Sequence, residues 1–304
     1  MKIGVDIGGT KCAVVLGDTN GIVKKIRFET TNYEETMANI RNAIREMGDF
    51  DAIGISCGGP LDSKKGVILS PPNLVGWDNV PITQMLSEEF GVPAYLCNDA
   101  DACALAEWKF GAGKGTENMI FLTFGTGMGA GLILNGKLYS GTNGMAGEVG
   151  HMRMNAYGPV GYGKTGSFEG FCSGSGIAQI GKTLALEQLQ MGKTLPYCQT
   201  PKDLENITAK LLAEYASKGD VIAKEAYRIS GEMLGRGLAV LIDLFNPEKI
   251  VIGSVFARAE ALLRPYMEAV LKTETLPTSY AACAIVPAAL GDSIGDYAAL
   301  AVAK

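Results

Sequence analysis

Twice in this chain a strand runs into a Gly-Thr turn, a second strand, a hairpin and a third strand. The first pass is a strand over Lys2–Ile7, the turn Gly8-Gly9-Thr10-Lys11, a strand over 12–17, a turn at 18–21 and a strand over 22–30. The second is a strand over 118–124, the turn Gly125-Thr126-Gly127-Met128-Gly129, a strand over 130–134, the dipeptide Asn135-Gly136 and a third strand from 137. Asn-Gly between apolar runs is a strong two-residue hairpin signal. Glycine hairpins are common in α/β proteins. The matching order of polar residue, Gly and Thr is what marks a repeat. A repeated βββ unit followed by helices implies two related α/β domains facing each other across a cleft.

Between the two passes the spacing predicts a helix over 34–47, a strand over 50–56 running into Cys57-Gly58-Gly59-Pro60, and a helix over 81–90. A short apolar run over 94–97 follows and reads as a buried strand. An Ala-rich helical stretch begins directly after it, with Asn98 and Asp99 at the junction. That is where open α/β sheets bind ligands, and a helix N-terminus favours an ionised carboxylate. Asn and Asp are also good N-caps. As a catalytic group, Asp99 would take the proton from a sugar hydroxyl as that hydroxyl attacks a nucleotide phosphate. The second half reads as helices over 177–189, 201–217 and 220–245, the strand Lys249–Ile252 ending at Gly253-Ser254, a helix, the strand Ala284–Pro287 and a final apolar helix after Gly291-Asp292. Gly231, Gly235 and Gly237 inside the helix over 220–245 weaken it unless another backbone packs closely there.

Bulk properties narrow the partners. With 304 residues and 47% apolar content the chain can fill one large or two ordinary cores. Net charge is −5 and there is no basic run, which argues against nucleic acid as the main partner. No stretch is apolar for the length a membrane span needs, and Asp6 stands too early for a secretion signal. Seven cysteines lie scattered, with no C-x-x-C pair. They read as reduced, mostly buried thiols of a cytoplasmic protein.

The first glycine turn follows Asp6 and leads into a strand, so it is neither a Walker A loop nor a dinucleotide fingerprint. Its N–H groups, the Thr10 hydroxyl and Lys11 suit phosphate oxygens, and Asp6 suits Mg²⁺ held through water. With the turn at Gly125, Thr126, Gly127 and Gly129 it makes a clamp from both sides. The chain's one histidine, His151, lies three residues from Glu148 in a glycine-rich segment. Such paired donors and acceptors suit a polyhydroxylated ligand. Glu169, in a second glycine-rich loop, is a further candidate.

Taken together, Asp6-Ile7-Gly8-Gly9-Thr10-Lys11, Gly58-Gly59-Pro60-Leu61-Asp62, Pro72-Asn73-Leu74 with Gly76-Trp77, Asn98-Asp99-Ala100, Gly125-Thr126-Gly127, Ala146-Gly147-Glu148-Val149-Gly150-His151-Met152 and Asn246-Pro247-Glu248-Lys249-Ile250-Val251-Ile252-Gly253 resemble, in order, the motifs of the ROK family of sugar kinases and repressors. The resemblance spans nearly the whole chain. It implies the two-domain actin-like ATPase (hexokinase–actin–Hsp70) fold, with a small domain over 1–112, a large domain over 113–290 and the C-terminal helix over 291–304 packing back on the small one. It implies an ATP- and Mg²⁺-dependent kinase acting on a hexose, glucose at the 6-hydroxyl first. N-acetylglucosamine, N-acetylmannosamine, another hexose, or a non-catalytic sugar sensor are the alternatives. Asp99 matches the family's catalytic base. Gly59, Asn73, Asn98, Glu148, His151 and Glu169 match its substrate ligands. Asp6, Gly8, Gly9, Thr10, Lys11, Gly125, Thr126, Gly127, Gly129 and Gly253 match its nucleotide site. Dimers are usual in the family. The family's repressors carry an added helix-turn-helix, whereas this sequence starts at the first core strand.

One departure stands out. The family's zinc-binding cysteines match Val160, Tyr162 and Ser167 here, none of which supplies a thiolate. No structural zinc is therefore expected, and the loop over 155–172 must be held by packing. Metal analysis of the purified protein tests this, and stoichiometric zinc would refute it.

Overall fold

A computed structural model describes the chain from Met1 to Lys304. Strands β1 (Lys2–Ile7), β2 (Lys11–Asp18) and β3 (Gly21–Glu29) form an antiparallel meander. Helix α1 (Tyr33–Arg45) starts at Asn32, whose side chain accepts the Glu35 N–H, and leads to β4 (Ile53–Cys57), parallel to β1. A small hairpin of β5 (Leu61–Asp62) and β6 (Val67–Ile68) precedes α2 (Ile82–Phe90). Next come β7 (Ala94–Asn98), parallel to β4, and α3 (Asp99–Phe110). The pattern restarts with β8 (Met119–Leu122), β9 (Ala130–Leu134) and β10 (Lys137–Leu138). The hairpin β11 (Val160–Gly161) and β12 (Lys164–Thr165) follows, then the short helix α4 (Phe168–Phe171). After it run α5 (Gly174–Gln190), α6 (Ala209–Ser217) and α7 (Val221–Phe245). The chain closes with β13 (Lys249–Ile252), α8 (Ser254–Glu274), α9 (Pro277–Ala282), β14 (Ala284–Pro287) and α10 (Ile294–Val302).

The two large sheets share one strand order. The first runs β3-β2-β1-β4-β7 and the second β10-β9-β8-β13-β14. In both, a meander is read from its third strand to its first and then continued by two later strands. The repeat seen in the sequence is thus a repeat of topology. By compactness the chain divides into one unit of Met1–Phe121, Gly131–Gly147 and Ala288–Lys304, and a second of Leu122–Ala130 and Glu148–Pro287. Part of the segment after residue 112 therefore groups with the first unit. This segment packs on α3: a Cβ on Gly131 of β9 would lie 2.5 Å from the Ala104 Cβ, and Ser140, beyond β10, donates to Asp101 at 2.9 Å.

The first unit's core lies under one face of its sheet, where Ile3, Val5, Cys12, Val14, Ile53 and Ile55 meet α1 and α2 residues such as Met37, Ile40, Ile44 and Leu86. The opposite face receives α10. A Cβ on Gly4 would lie 2.5 Å from the Leu300 nitrogen, and one on Gly54 2.3 Å from the Ala299 oxygen. Only bare backbone lets the helix sit this low on the sheet. In the second unit the glycines of α7 do the same for α8. Cβ atoms at Gly231 and Gly235 would strike the Leu263 and Met267 carbonyl oxygens, at 2.8 and 2.7 Å.

Two stretches differ from the sequence reading. The helix expected over 201–217 is a 3-10 stretch (Pro201–Asn206) followed by α6, because Thr208 turns its hydroxyl to the Leu211 N–H and starts a new helix. The loop over 155–172 holds a hairpin and a helical turn, both organised by backbone hydrogen bonds.

Gly54→Ala should cost about 2 kcal/mol, the usual scale of overpacking. The urea midpoint measures it; an unchanged midpoint would mean α10 is free to lift.

Candidate active site

In the first unit, three parallel strands end in register. Ile7 pairs with Cys57, and Cys57 with Asn98, so Gly8, Gly58 and Asp99 follow at one sheet edge. Asn98 caps α3: its Oδ1 accepts the Ala100 N–H at 3.0 Å. Its amide nitrogen faces Gly59, where a Cβ would lie 3.6 Å away. The cap reading thus holds for Asn98 while leaving its donor available. Asp99 Oδ1 also accepts the Ala100 N–H, at 2.8 Å. Asp99 is an exposed residue, but desolvation by the protein around its carboxyl holds it above the usual range, against the pull of that N–H. A carboxylate of raised basicity is what a general base requires.

The turn Gly8–Lys11 is closed by the Gly8 N–H donating to the Lys11 carbonyl at 3.2 Å. Thr30 braces it, donating its hydroxyl to the Gly8 carbonyl at 2.6 Å and its N–H to the Thr10 carbonyl at 3.1 Å. Gly9 packs on Asn73: a Cβ there would lie 2.7 Å from the Asn73 Cβ. Beside the turn is a cavity of about 420 Å³, lined by Asp6, Lys11, Lys25, Arg27, Asp292 and Asp296 among others. Asp296 is buried on α10 and paired with Lys25 at 2.5 Å. Burial pushes Asp6 up to about 6, with Asp296 and Asp99 adding repulsion and Lys25 and Arg27 opposing it. Crowded carboxylates of this kind suit a divalent cation. No group of three His, Cys, Asp or Glu side chains is placed to hold a metal alone.

In the second unit the glycine turn after β8 folds on itself. The Gly125 N–H donates to the Gly127 carbonyl at 2.9 Å, and the Gly129 N–H to the Thr123 hydroxyl at 2.9 Å. Thr126 is exposed at the turn. Gly253 donates to the Leu122 carbonyl at 2.9 Å, and Val255 to that of Phe124 at 3.0 Å, which keeps Gly253-Ser254 beside the turn. Glu148 and His151 flank a 3-10 turn (Val149–His151), with the His151 N–H donating to the Glu148 carbonyl at 3.1 Å. Glu169 joins them. Its Oε2 accepts the Met128 N–H at 2.9 Å, and a Cβ on Gly150 would lie 3.3 Å from the Glu169 Cβ. Glu148, His151, Glu169 and the glycine turn are therefore one local cluster.

Phe168 anchors Glu169 by filling the notch at Gly237 on α7, where a Cβ would lie 2.4 Å from its ring. Ser167 caps α4, accepting the Gly170 N–H at 3.0 Å. Gln179 of α5 pairs with both backbone groups of Val160, accepting its N–H at 3.0 Å and donating to its carbonyl at 2.9 Å. Arg153 donates to the Thr165 carbonyl at 2.8 Å. Hydrogen bonds as well as packing thus hold the loop. Asp296 and Gln179 escaped the sequence reading, as did the turn at Tyr162. A lone acid in an apolar C-terminal helix was the only signal for Asp296, and Tyr162-Gly163 lacks the usual turn dipeptide.

A family model described as ROK family matches residues 2–304. The chain is 32% identical to a glucokinase of Thermotoga maritima over 99% of its own length and 96% of the relative's. It is 34% identical to a xylose repressor of Caldicellulosiruptor bescii, over 66% of the chain but 49% of the repressor. Among solved structures, it is similar to a ROK family glucokinase from Streptomyces griseus in complex with glucose and AMPPNP, with a TM-score of 0.73, 30% identity and coverage of 98% of this chain and 97% of that one. A ROK hexokinase from Thermus thermophilus aligns with a TM-score of 0.81, 27% identity and coverage of 99% and 97%.

Between pH 3.8 and about 6 the folded chain keeps a proton on Asp6 that the unfolded chain has lost. Stability should therefore fall as pH rises through that window. Asp6→Asn should flatten the fall, leaving the part due to Asp99; urea midpoints across the window measure it.

The two sheets of like strand order are those of the actin-like ATPase fold, and the chain belongs to the ROK family.

Proposed function

We propose that this protein transfers the γ-phosphoryl group of ATP to the 6-hydroxyl of glucose. The observation behind the reading is Asp99: a carboxylate of raised basicity at the C-terminal edge of a parallel sheet, in a chain similar to a glucokinase over nearly all its length. Asp99 takes the proton of the 6-hydroxyl, and that oxygen attacks the γ-phosphorus in line as ADP leaves. Asn98 offers its amide nitrogen, and Gly59 and Asn73 lie with it on the sugar side. Glu148, His151 and Glu169 supply the remaining hydroxyl partners. In the turns Gly8–Lys11 and Gly125–Gly129, the N–H groups of Gly9, Thr10, Thr126 and Gly127, which do not close the turns, serve phosphate oxygens, and Gly253 lies beside the base of the nucleotide. Asp6 would hold Mg²⁺ through water, and the ion would supply neutralisation of the phosphate charge. No helix is long and apolar enough to cross a membrane, and seven free thiols suit a reducing compartment; we place the enzyme in the cytoplasm.

The test is ADP release with ATP and Mg²⁺ across glucose, mannose, N-acetylglucosamine and N-acetylmannosamine. Glucose should respond most strongly. Silence with every sugar, alongside sugar binding by calorimetry, would make the protein a sensor. Asp99→Asn should keep sugar binding and lower turnover by about 10²–10⁴-fold, the usual weight of a general base. Turnover retained in that variant would remove Asp99 from its role.

A further inference from the structure

The hairpin β11–β12 shows a tyrosine at a cost. Val160 pairs with Thr165 and Gly161 with Lys164, leaving Tyr162 and Gly163 as a two-residue turn. Both have positive φ, 43° and 74°, as a type I′ turn requires. Asn, Asp and Gly accept the first position readily; a tyrosine is crowded there. Burial does not offset the crowding, since Tyr162 is 84% exposed. The ring's aromatic neighbour is His151, met edge-on with centroids 5.3 Å apart and planes at 78°. The base of the hairpin is firmly held. Gln179 clasps Val160, Lys164 donates to the His151 carbonyl, and Gly161 lies so close to Glu169 that a Cβ would come within 2.8 Å of the Glu169 Cβ. The turn is therefore fixed against the two residues proposed to hold sugar hydroxyls.

We propose that Tyr162 is a specificity-determining residue, its ring a wall that stacks on the C–H face of the pyranose. The proposal rests on the kinase reading above. A pyranose carries hydroxyls around its rim and C–H groups on its faces. His151 and Glu169 are polar and suit the rim; the exposed ring beside them offers a flat apolar surface with few rotamers to freeze. Strain kept at an exposed side chain that supports no core is a mark of function. A flat wall favours sugars whose substituents are all equatorial. Glucose meets that condition as its β anomer; mannose, with its axial 2-hydroxyl, and allose, with its axial 3-hydroxyl, do not.

The experiment compares wild type with Tyr162→Asn and Tyr162→Phe, reading KM and kcat for glucose and mannose, glucose Kd by calorimetry, and Tm. Asn-Gly is the preferred pair for this turn, so Tyr162→Asn should hold or raise Tm. Its glucose Kd and KM should rise about tenfold, with kcat within about twofold and the preference for glucose over mannose reduced. Tyr162→Phe should behave as wild type. Unchanged glucose KM and preference in an active Tyr162→Asn enzyme would overturn the wall. So would equal losses in the Phe variant, which point to the hydroxyl, or a loss of affinity that tracks a fall in Tm. A wild type that phosphorylates no sugar overturns the kinase reading, and this one with it, before any variant is made.

Discussion

Ile7, Cys57 and Asn98 lie abreast on three parallel strands, and the first unit's chemistry depends on that register. Each strand hands over at once to a residue of the site. Gly8 opens the turn proposed for phosphate, Gly58 lies beside Asp99, and Asp99 itself follows the third strand. A slip of one residue would turn Asp6 toward the apolar face and replace it with a core residue. The same sheet accepts α10 on bare backbone at Gly4 and Gly54. That close seating places Gly295 against the Asp6 carboxylate and buries Asp296 nearby. The raised basicity of Asp6 thus follows from how low the helix sits. Packing sets the electrostatics here, and a larger residue under α10 would change both together.

In the second unit the equivalent constraint is the anchoring of Glu169. Its carboxylate accepts an N–H from the glycine turn, so a single side chain contacts the turn proposed for phosphate while serving the group proposed for sugar. A carboxylate with two such duties needs a rigid base. Phe168 provides it by filling the notch at Gly237, on a helix that α8 approaches at Gly231 and Gly235. The glycines that weaken α7 as an isolated helix are those that let its neighbours close in. Local propensity is given up for contact, and the contact is what holds the site.

The three positions that match the family's zinc ligands have other roles in this chain. Val160 is clasped by Gln179, Tyr162 forms the turn of the hairpin, and Ser167 caps α4. A metal ion joins distant ligands through one centre. Here the loop is joined by several directional bonds, each modest alone, arranged in sequence from Arg153 to Gln179. The hairpin gains a residue at its tip that a zinc ligand would not allow, and the tip faces His151.

Much of the first sheet was legible in the residues themselves, as were strands of the second. Lys2–Ile7, Ala130–Leu134, Lys249–Ile252 and Ala284–Pro287 are apolar runs ended by glycine or other turn residues, and they form strands with those bounds. Asp99 was legible for the same reason: strand and helix signals are local, and the residue between them must lie at a sheet edge. The repeat of strand order followed from two matching turn patterns. The helix break at Thr208 was hidden because a cap competes with helical continuation through one hydrogen bond. The 155–172 loop was hidden because its order comes from partners distant in sequence, such as Gln179 and Gly237. Strands, turns and the junction that carries Asp99 are written in the residues alone, since each depends on neighbours a few positions away. The charge environment of Asp6, the grip on Glu169 and the exposure of Tyr162 arise only on folding, since burial and close approach are properties of segments brought together from far along the chain.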